Sequence, residues 1–574
     1  MRTSDYARIL EGTAHLIELT GGNAFRAKAF DRAARTLRKY AGDLDALIER
    51  GEHVGMDGIG TALARDLVVI QQTGTLPLFE ELRAQLPDGI LELVQIQGLG
   101  PKKVKKLYDE LAVGSLEELA DAIESNAVSK LSGFGPRTQD NLARELERLQ
   151  RQSGRTPLPR ALEIAEPVVA FLRGLDSVEA AELAGSARRG RETVGDLDFI
   201  VAATDPEAVM QAFVTMPDVT EVLAHGPTKS NVMLLDAMSA DIRVVAPDRY
   251  GSALHHFTGS KDHHVDLRSR AKARGLRICE YGVFNAADTD DSNPLASASE
   301  TDVYAALGLP FIPPELREGG GELDRAGRGA LPRLLELSDL RGDMHMHTTA
   351  SDGRSSIEEM AKAAKALGYA YIVITDHSKS SVIANGLDEE RLLRHMDAID
   401  AVDAAMDGIR VLKGIEVDIL RDGTLDLDHA VLDRLDFVVG SIHAGFRMDR
   451  ATVTARLLRA IGTGKLHAIG HPTGRKLGSR DGYELDMEAL IAGCLEHRVA
   501  LEINASTGRL DLNDTHARMA AEAGVPIVIN TDSHSAGGFT QMGFGVTIAR
   551  RAWLGPEQVI NTRPWDQVMA ALGR

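Results

Sequence analysis

Between residues 370 and 534, six apolar segments recur with helix-forming stretches between them: AYIVITDH, RVLKGIEVDI, FVVGSIHA, HAIGHP, ALEINAS and PIVINTDSH. Near-continuous apolar strands alternating with helices predict a parallel sheet covered by helices, here a closed βα barrel. Five of the six segments also hold residues that can bind a metal: His377, Glu416, His443, His471, and Asp532 with His534. In such a barrel the C-terminal strand ends meet at one mouth, so residues far apart in the chain are expected to share one site. RGDMHMHTTASDG (341–353) adds His345 and His347, one residue apart on one side of an extended strand, and Asp352. Nine such positions in strand-end register predict a metal cluster. His395, His429, His467, His497 and His516 fall outside that register and are expected to be structural. Mixed His and carboxylate ligation favours Mn²⁺, Zn²⁺ or Fe²⁺ over Mg²⁺. A cluster of this kind lowers the pKa of a bound water and holds phosphate oxygens, so phosphoester hydrolysis is the expected chemistry.

What precedes this region is different. A chain of 574 residues is too long for one core and predicts three or more domains. Residues 1–155 read as short helices in which one pattern occurs three times: MDGIGTALARDL (56–67), IQGLGPKKVKKLYDEL (96–111) and LSGFGPRTQDNL (131–142). Two glycines around an apolar residue allow a tight turn that aims backbone N–H groups from a helix start, a way of holding phosphate without reading bases. The expected contacts are Gly58, Gly60, Gly98, Gly100, Lys102, Lys103, Gly133 and Gly135. The net charge of −19 argues against nucleic acid until its distribution is considered. Residues 1–155 hold 21 Lys and Arg against 23 Asp and Glu, so nearly all the acidic excess lies beyond them. Local placement, not the total, decides binding.

Residues 156–310 alternate strand-like runs with helices and contain LAGSARRGRETVGDLDFIV (183–201). A strand puts Asp196 and Asp198 on one face, and Asp241 in SADIRVV completes a trio of oxygen ligands. Such a set suits two Mg²⁺ or Mn²⁺ ions and nucleotidyl transfer. Gly185 and Ser186 are placed to hold phosphate, with Arg188 or Arg189 to neutralise it. The Gly-rich, charged run 317–333 reads as a linker. No apolar run reaches the roughly 18 residues of a membrane span. The N-terminus lacks a signal peptide's apolar core, and only Cys279 and Cys494 are present, which fits a reducing cytoplasm.

GSARRGRETVGDLD resembles the signature of family X DNA polymerases, and HFTGS (256–260) and ARGLRICEYGVF (273–284) are similar to the same family's nucleotide-binding segment and thumb. The three Gly-x-Gly repeats resemble helix-hairpin-helix modules, and residues 339–574 resemble the PHP (polymerase and histidinol phosphatase) domain. The combination is the architecture of bacterial and archaeal PolX enzymes. The family X likeness implies that Asp196, Asp198 and Asp241 bind two catalytic ions, with Asp241 activating the primer 3′-hydroxyl. It implies that Gly185, Ser186, Arg189 and Gly195 bind the incoming triphosphate and that Phe257 and Gly259 line the sugar pocket. It implies, too, a monovalent cation at the hairpins. The PHP likeness implies that the βα barrel is distorted and holds three cations: one on His345, His347, Glu416 and Asp532; one on Glu416, His443 and His471; one on Asp352, His377 and His534. Two positions depart from the polymerase pattern, His256 for a common Tyr and Val194 for a common Ser. In animal relatives a Schiff-base lysine follows the first hairpin; here the place is Asp66 and a supporting lysine is Ala62, so a lyase using that lysine is not expected.

The expected organisation is an N-terminal helical region (1–85), fingers (86–155), a nucleotidyltransferase palm (156–250), a thumb (251–316), a linker (317–338) and the PHP barrel (339–574). The expected function is short-gap repair synthesis with separate 3′-end hydrolysis and nicking at abasic sites. Gapped or nicked duplex DNA and dNTPs are the expected partners of a monomeric, cytoplasmic, nucleoid-associated enzyme with no membrane contact. Two alternatives remain open: a DNA-binding but weakly synthesising polymerase half that serves the nuclease, and a PHP half that cleaves small phosphomonoesters.

Overall fold

The computed structural model describes residues 3–39, 44–56, 58–87, 89–94, 96, 99–135, 138–139, 141–143, 146, 155–235, 238–288 and 290–574. The chain divides into two compact units, residues 1–152 and 153–574. Among the described residues no helix is long and apolar enough to cross a membrane.

The first unit is helical and has two apolar cores. Tyr6, Leu10, Ile17, Phe30, Leu37 and Leu67 build one, and Ile90, Leu93, Leu107, Leu119 and Phe134 the other. Helices Thr61–Thr73 and Pro101–Leu111 each start directly after an extended glycine, Gly60 and Gly100. Pro101 takes the first helical position, where a missing N–H costs nothing. Gly58 has φ +77°, a conformation that strains an L residue, and a Cβ there would crowd Arg32 Cγ at 2.9 Å, so the turn favours glycine.

In the second unit, β1 (Thr156–Pro157) pairs with β3 (Thr193–Val194), and five longer strands form a mixed sheet. These are β2 (Val178–Leu183), β4 (Asp196–Ala203), β5 (Val219–His225), β6 (Lys229–Leu234) and β7 (Ser239–Val245), in the order β2-β4-β7-β6-β5. Leu197, Phe199 and Val201 alternate into the core beneath helix Leu158–Arg173, which leaves Asp196 and Asp198 on the opposite face. Helices Tyr250–Thr258 and Lys261–Ala273, the hairpin β8 (Leu276–Cys279) with β9 (Gly282–Asn285), and helix Glu300–Ala306 follow.

The run expected to be a linker is folded. Arg317 is fully buried, donating Nε to the Ile312 carbonyl at 2.8 Å and Nη1 to Glu300 at 2.6 Å. Helix Glu322–Gly327 brings Leu323 and Ala326 into the thumb core, and Glu322 meets buried His263 at 2.6 Å. Gly319 and Gly321, at φ +73° and +88°, turn the chain here instead of loosening it.

From residue 342 seven strands run parallel in chain order: β10 (Gly342–Asp343), β11 (Tyr371–Ile374), β12 (Arg410–Asp418), β13 (Phe437–Ser441), β14 (Ala468–Ile469), β15 (Ala500–Asn504) and β16 (Ile527–Asn530). A parallel bridge between Met346 and Ser533 brings the first strand's end to the last strand's end and nearly closes the barrel. Tyr371, Val373, Leu412, Phe437 and Val439 cluster with Val568 of helix Trp565–Ala571 and with Leu572 just after it, while the alternating Ile372, Ile374, Val411 and Val438 pack with the surrounding helices. Both faces of each strand are buried, which is why the strands read as continuous apolar runs.

Two candidate metal centres

Asp198 and Asp241 are register partners across the parallel pair β4–β7, and Asp196 precedes Asp198 by two residues on the same face. One carboxylate oxygen from each of the three lies within 4.8 Å of the others. Burial, with Asp196 and Asp241 adding like charge, pushes Asp198 up to about 6. Three carboxylates at this spacing repel one another until a cation neutralises them. Lys229 Nζ is 3.4 Å from Asp241 Oδ1, and Asn231 donates to Asp241 Oδ2 at 3.0 Å. Gly185, at φ +61°, approaches so closely that a Cβ would fall 2.1 Å from Asp198 Oδ2.

Ser186 lies in the single turn Gly185–Arg188 that opens from this glycine, and Gly195 is exposed immediately before Asp196. The two arginines of the turn differ in their ties. Arg188 makes a two-pronged pair with Glu300 (2.9 and 2.7 Å) and donates to Thr258 Oγ1, which commits it to holding the thumb. Arg189 donates Nη1 to the Thr258 carbonyl at 2.6 Å and Nε to Glu318 at 3.1 Å, and a Cβ on Gly259 would lie 3.0 Å from its Nη1. Burial holds the Arg189 pKa below its ordinary value. Phe257 carries the Arg243 guanidinium 4.4 Å over its ring. Of the two departures, Val194 is fully buried in the palm core and paired with Thr156, and His256 stacks on His264 with ring centroids 5.3 Å apart.

In the barrel all nine expected residues converge. Glu416 stands at the centre, 1 % exposed. Its Oε1 lies 3.3 Å from His345 Nε2, 3.3 Å from His443 Nε2 and 3.0 Å from His471 Nε2. Its Oε2 lies 2.8 Å from His377 Nδ1 and 3.7 Å from His347 Nε2. Asp532 Oδ1 is 3.0 Å from His347 and 3.7 Å from His345, while Asp352 Oδ2 meets His534 at 3.3 Å and His377 at 3.6 Å. Ligand atoms fall within 4.8 Å of one another in three sets: His345, His347 and Asp532; His377, Glu416 and His443; and His347, Asp352, His377 and His534. His347 and His377 therefore each sit between two of the sets expected from the sequence.

The donor set fits divalent cations. His345 Nε2, His377 Nδ1 and Glu416 Oε2 are buried within the cluster and, close as they lie, make no well-directed hydrogen bond, an expensive arrangement unless a cation takes those lone pairs. Burial, together with the neighbouring His534 and His377, lowers the His347 pKa to about 4, whereas the surrounding carboxylates raise those of His345, His443 and His534, rings that must lose a proton for a cation to bind.

The residues behind these ligands escaped the sequence reading. Glu502 takes His345 Nδ1 at 2.8 Å and the His471 backbone N–H at 2.6 Å, so His345 turns Nε2 inward. Asp418 does the same for His443 at 2.6 Å. Asp376, paired with His395 at 2.8 Å, accepts from the Thr348 and Ser351 backbone and orders the turn after His347. Such carboxylates fix ring orientation and raise ligand basicity. Their one sequence signal is an acid inside an otherwise apolar strand. Arg509 adds a guanidinium 3.5 Å from Asp532 Oδ2. Of the histidines expected to be structural, His395 has the role just given and buried His467 accepts the Val438 N–H at 3.0 Å.

Among the hairpin residues, Lys102 is exposed, whereas Lys103 lies 5.8 Å over the ring of Phe134 in the third repeat. Lys106 reaches the Ser132 carbonyl at 2.5 Å, so the second and third repeats are tied together. Gly133, at φ +87°, and Gly135 flank buried Phe134; Gly98 lies outside the described residues. Asp66 is half-buried, and that burial raises its carboxyl pKa against the opposing charge of Arg26; no amine stands at that place.

Four family models match the chain: a helix-hairpin-helix domain over residues 1–76, a SAM-like helix-hairpin-helix tandem over 90–148, the DNA polymerase beta thumb over 253–318 and the PHP domain over 343–506. A protein of Bacillus subtilis (strain 168) named "DNA polymerase/3'-5' exonuclease PolX" is 40 % identical over 577 residues, covering 100 % of both chains. "Probable phosphatase YcdX" of Escherichia coli (strain K12) is 31 % identical over 234 residues, 39 % of this chain and 90 % of its own. Its counterpart in Shigella dysenteriae serotype 1 (strain Sd197) matches to the same extent.

Proposed function

The chain belongs to the PolX family of DNA polymerase/3′-5′ exonucleases, and on that premise we propose that it fills short gaps in duplex DNA at the palm and trims 3′ ends at the barrel. The observation that carries this reading is the presence of two separate ligand sets in one chain, a carboxylate trio and a nine-residue His/carboxylate cluster. In the palm, Asp196, Asp198 and Asp241 would hold Mg²⁺ or Mn²⁺, and Asp241 is placed to take the proton of the primer 3′-hydroxyl. Arg189 would exchange Glu318 for the triphosphate, with Gly185, Ser186 and Gly195 giving the phosphates room and backbone donors, and Phe257 and Gly259 would border the sugar. In the barrel the nine ligands would hold Mn²⁺, Zn²⁺ or Fe²⁺. When bound, these cations supply Lewis acidity and a lowered water pKa. Glu502 and Asp418 keep His345 and His443 facing inward, and Arg509 sets a positive charge where a phosphate arrives. The glycine turns at 58–60, 98–100 and 133–135, with Lys102 and Lys103, would hold backbone phosphates on gapped or nicked DNA, with a monovalent cation at the turns. The protein would work as a monomer in the cytoplasm, at the nucleoid.

A gapped duplex with a 3′-labelled primer, incubated with and without dNTPs across Mg²⁺, Mn²⁺ and Zn²⁺, tests both halves. Asp196→Ala should abolish lengthening and keep shortening, and His345→Ala should do the reverse. If either substitution removed both activities from a folded protein, the two-site reading would fail. A second reading, a barrel that cleaves phosphomonoesters, is favoured by the 31 % identity over 234 residues, a span about the size of the barrel region, to a protein named a probable phosphatase. Release of inorganic phosphate without shortening of the primer would select it.

A further inference from the structure

The turn between Ser186 and Asp196 is held from the barrel side at two places. Gly190, at φ +67°, lies so close to helix Met542–Arg551 that a Cβ would come within 2.4 Å of Thr547 Cγ2. From the end of that helix Arg551, whose side chain is 3 % exposed, donates Nη1 to the Arg189 carbonyl (2.8 Å) and to Glu318 Oε1 (2.9 Å). Its Nη2 donates to Asp514 Oδ2 at 2.6 Å. The same Glu318 oxygen accepts from Arg189 Nε at 3.1 Å, so two guanidiniums share one carboxylate oxygen. Farther along the turn, Glu192 forms a two-pronged pair with Arg475 (3.0 and 2.8 Å), four residues beyond His471.

Arg189 cannot give the same N–H to Glu318 and to a triphosphate. An acceptor oxygen shared by two cations holds each more weakly than it would hold one, because each partly neutralises the charge that attracts the other. Resting on the assignment of Arg189 to the incoming triphosphate, we propose that Arg551 is a positioning residue for nucleotide binding. It draws on the Glu318 oxygen and fixes the Arg189 backbone, which keeps the Arg189 guanidinium transferable. Glu318 is the competing partner that the nucleotide displaces. The helix supplying Arg551 follows the loop that holds Asp532 and His534 beyond the last barrel strand, so the second catalytic domain sets the nucleotide affinity of the first.

The expected effects have opposite signs, which a merely structural clamp would not give. Single-turnover filling of a one-nucleotide gap by the full chain, across a range of dNTP concentrations, separates apparent affinity from maximal rate. Glu318→Gln should tighten apparent dNTP affinity about three- to tenfold, the net scale of one ordinary hydrogen bond, because the shared oxygen holds Arg189 only weakly. Arg551→Gln leaves Glu318 to Arg189 alone and should weaken affinity by a similar factor, with Arg551→Lys recovering part of the loss. The double variant Glu318→Gln/Arg551→Gln should follow Glu318→Gln, since no carboxylate remains to compete. Should Arg551→Gln melt early, Glu318→Gln alone decides, and unchanged or weaker affinity there overturns the proposal. Arg189→Ala is the control. If it leaves affinity unchanged, the triphosphate assignment fails and the proposal with it. If it weakens affinity while Glu318→Gln and Arg551→Gln shift together or not at all, the assignment stands and the proposal falls.

Discussion

Replacing Gly185 by Ala tests whether the palm trio is held to catalytic tolerance. The Cβ would sit 2.1 Å from Asp198 Oδ2, about 0.9 Å inside the 3.0 Å that real Cβ contacts respect. The carboxylate or the turn must therefore move by nearly that distance. Gly185 also has φ +61°, a conformation that costs an L residue roughly 1–2 kcal/mol. The Asp198 backbone is held on one side by its register with Asp241 and on the other by the Ala184 N–H at 2.7 Å, so the displacement falls on the carboxylate of the trio. A misplacement of about 1 Å in a catalytic group costs on the order of a hundredfold in rate. Single-turnover insertion on a gapped duplex is the assay, with shortening of a 3′-labelled strand as the internal reference. Insertion should fall about a hundredfold, and shortening should stay within roughly twofold, because the barrel cluster is untouched. Gap filling at the wild-type rate by folded Gly185→Ala would refute the claim that this close approach sets the geometry of the site.

Three other outcomes follow from the same structure. Glu502→Gln removes the charge that turns His345 inward and should weaken cation binding and 3′ hydrolysis about ten- to a hundredfold, measured by metal titration, with gap filling preserved. His467 is buried as an acceptor, and burial lowers its pKa to about 4, so the unfolded chain takes up the proton first; stability present above about pH 6.5 should decline as pH falls toward 4, and His467→Gln should flatten that part of the urea-midpoint profile. A chelator should stop both activities and also lower the melting temperature, because the cluster buries unpaired ring nitrogens that a cation satisfies; an unchanged melting temperature would argue against cations in the barrel.

The barrel was legible because both faces of its strands are buried, which leaves runs such as Tyr371–Ile374 without a polar residue, and because parallel strands place their C-terminal ends together. The carboxylate trio was legible through period two and one parallel register. The stretch after residue 316 was misread because glycine marks both flexibility and a left-handed turn, and sequence does not say which; Gly319 and Gly321 are of the second kind. Nor does sequence show that a charge such as Arg317 will be buried, since its partner Glu300 and the rings of Tyr304 and Phe311 are brought to it only by the fold. Glu502 and Asp418 stayed hidden for a related reason: a carboxylate that touches a ligand looks, in one dimension, like any acid in a strand. Glu318 lies 129 residues from the arginine it holds, a separation no local pattern spans.

The strands of the barrel follow one another around the ring in the order in which they are synthesised, and the ring meets itself at Met346 and Ser533. The ligands His345 and His347 therefore wait for Asp532 and His534, which are synthesised long after Asp241. The palm trio is already complete at Asp241. On the proposed reading a chain that stops or is cut between Asp241 and Asp532 keeps its carboxylate trio and lacks its trimming site, a writer without its eraser and without the Arg551 support of its nucleotide site.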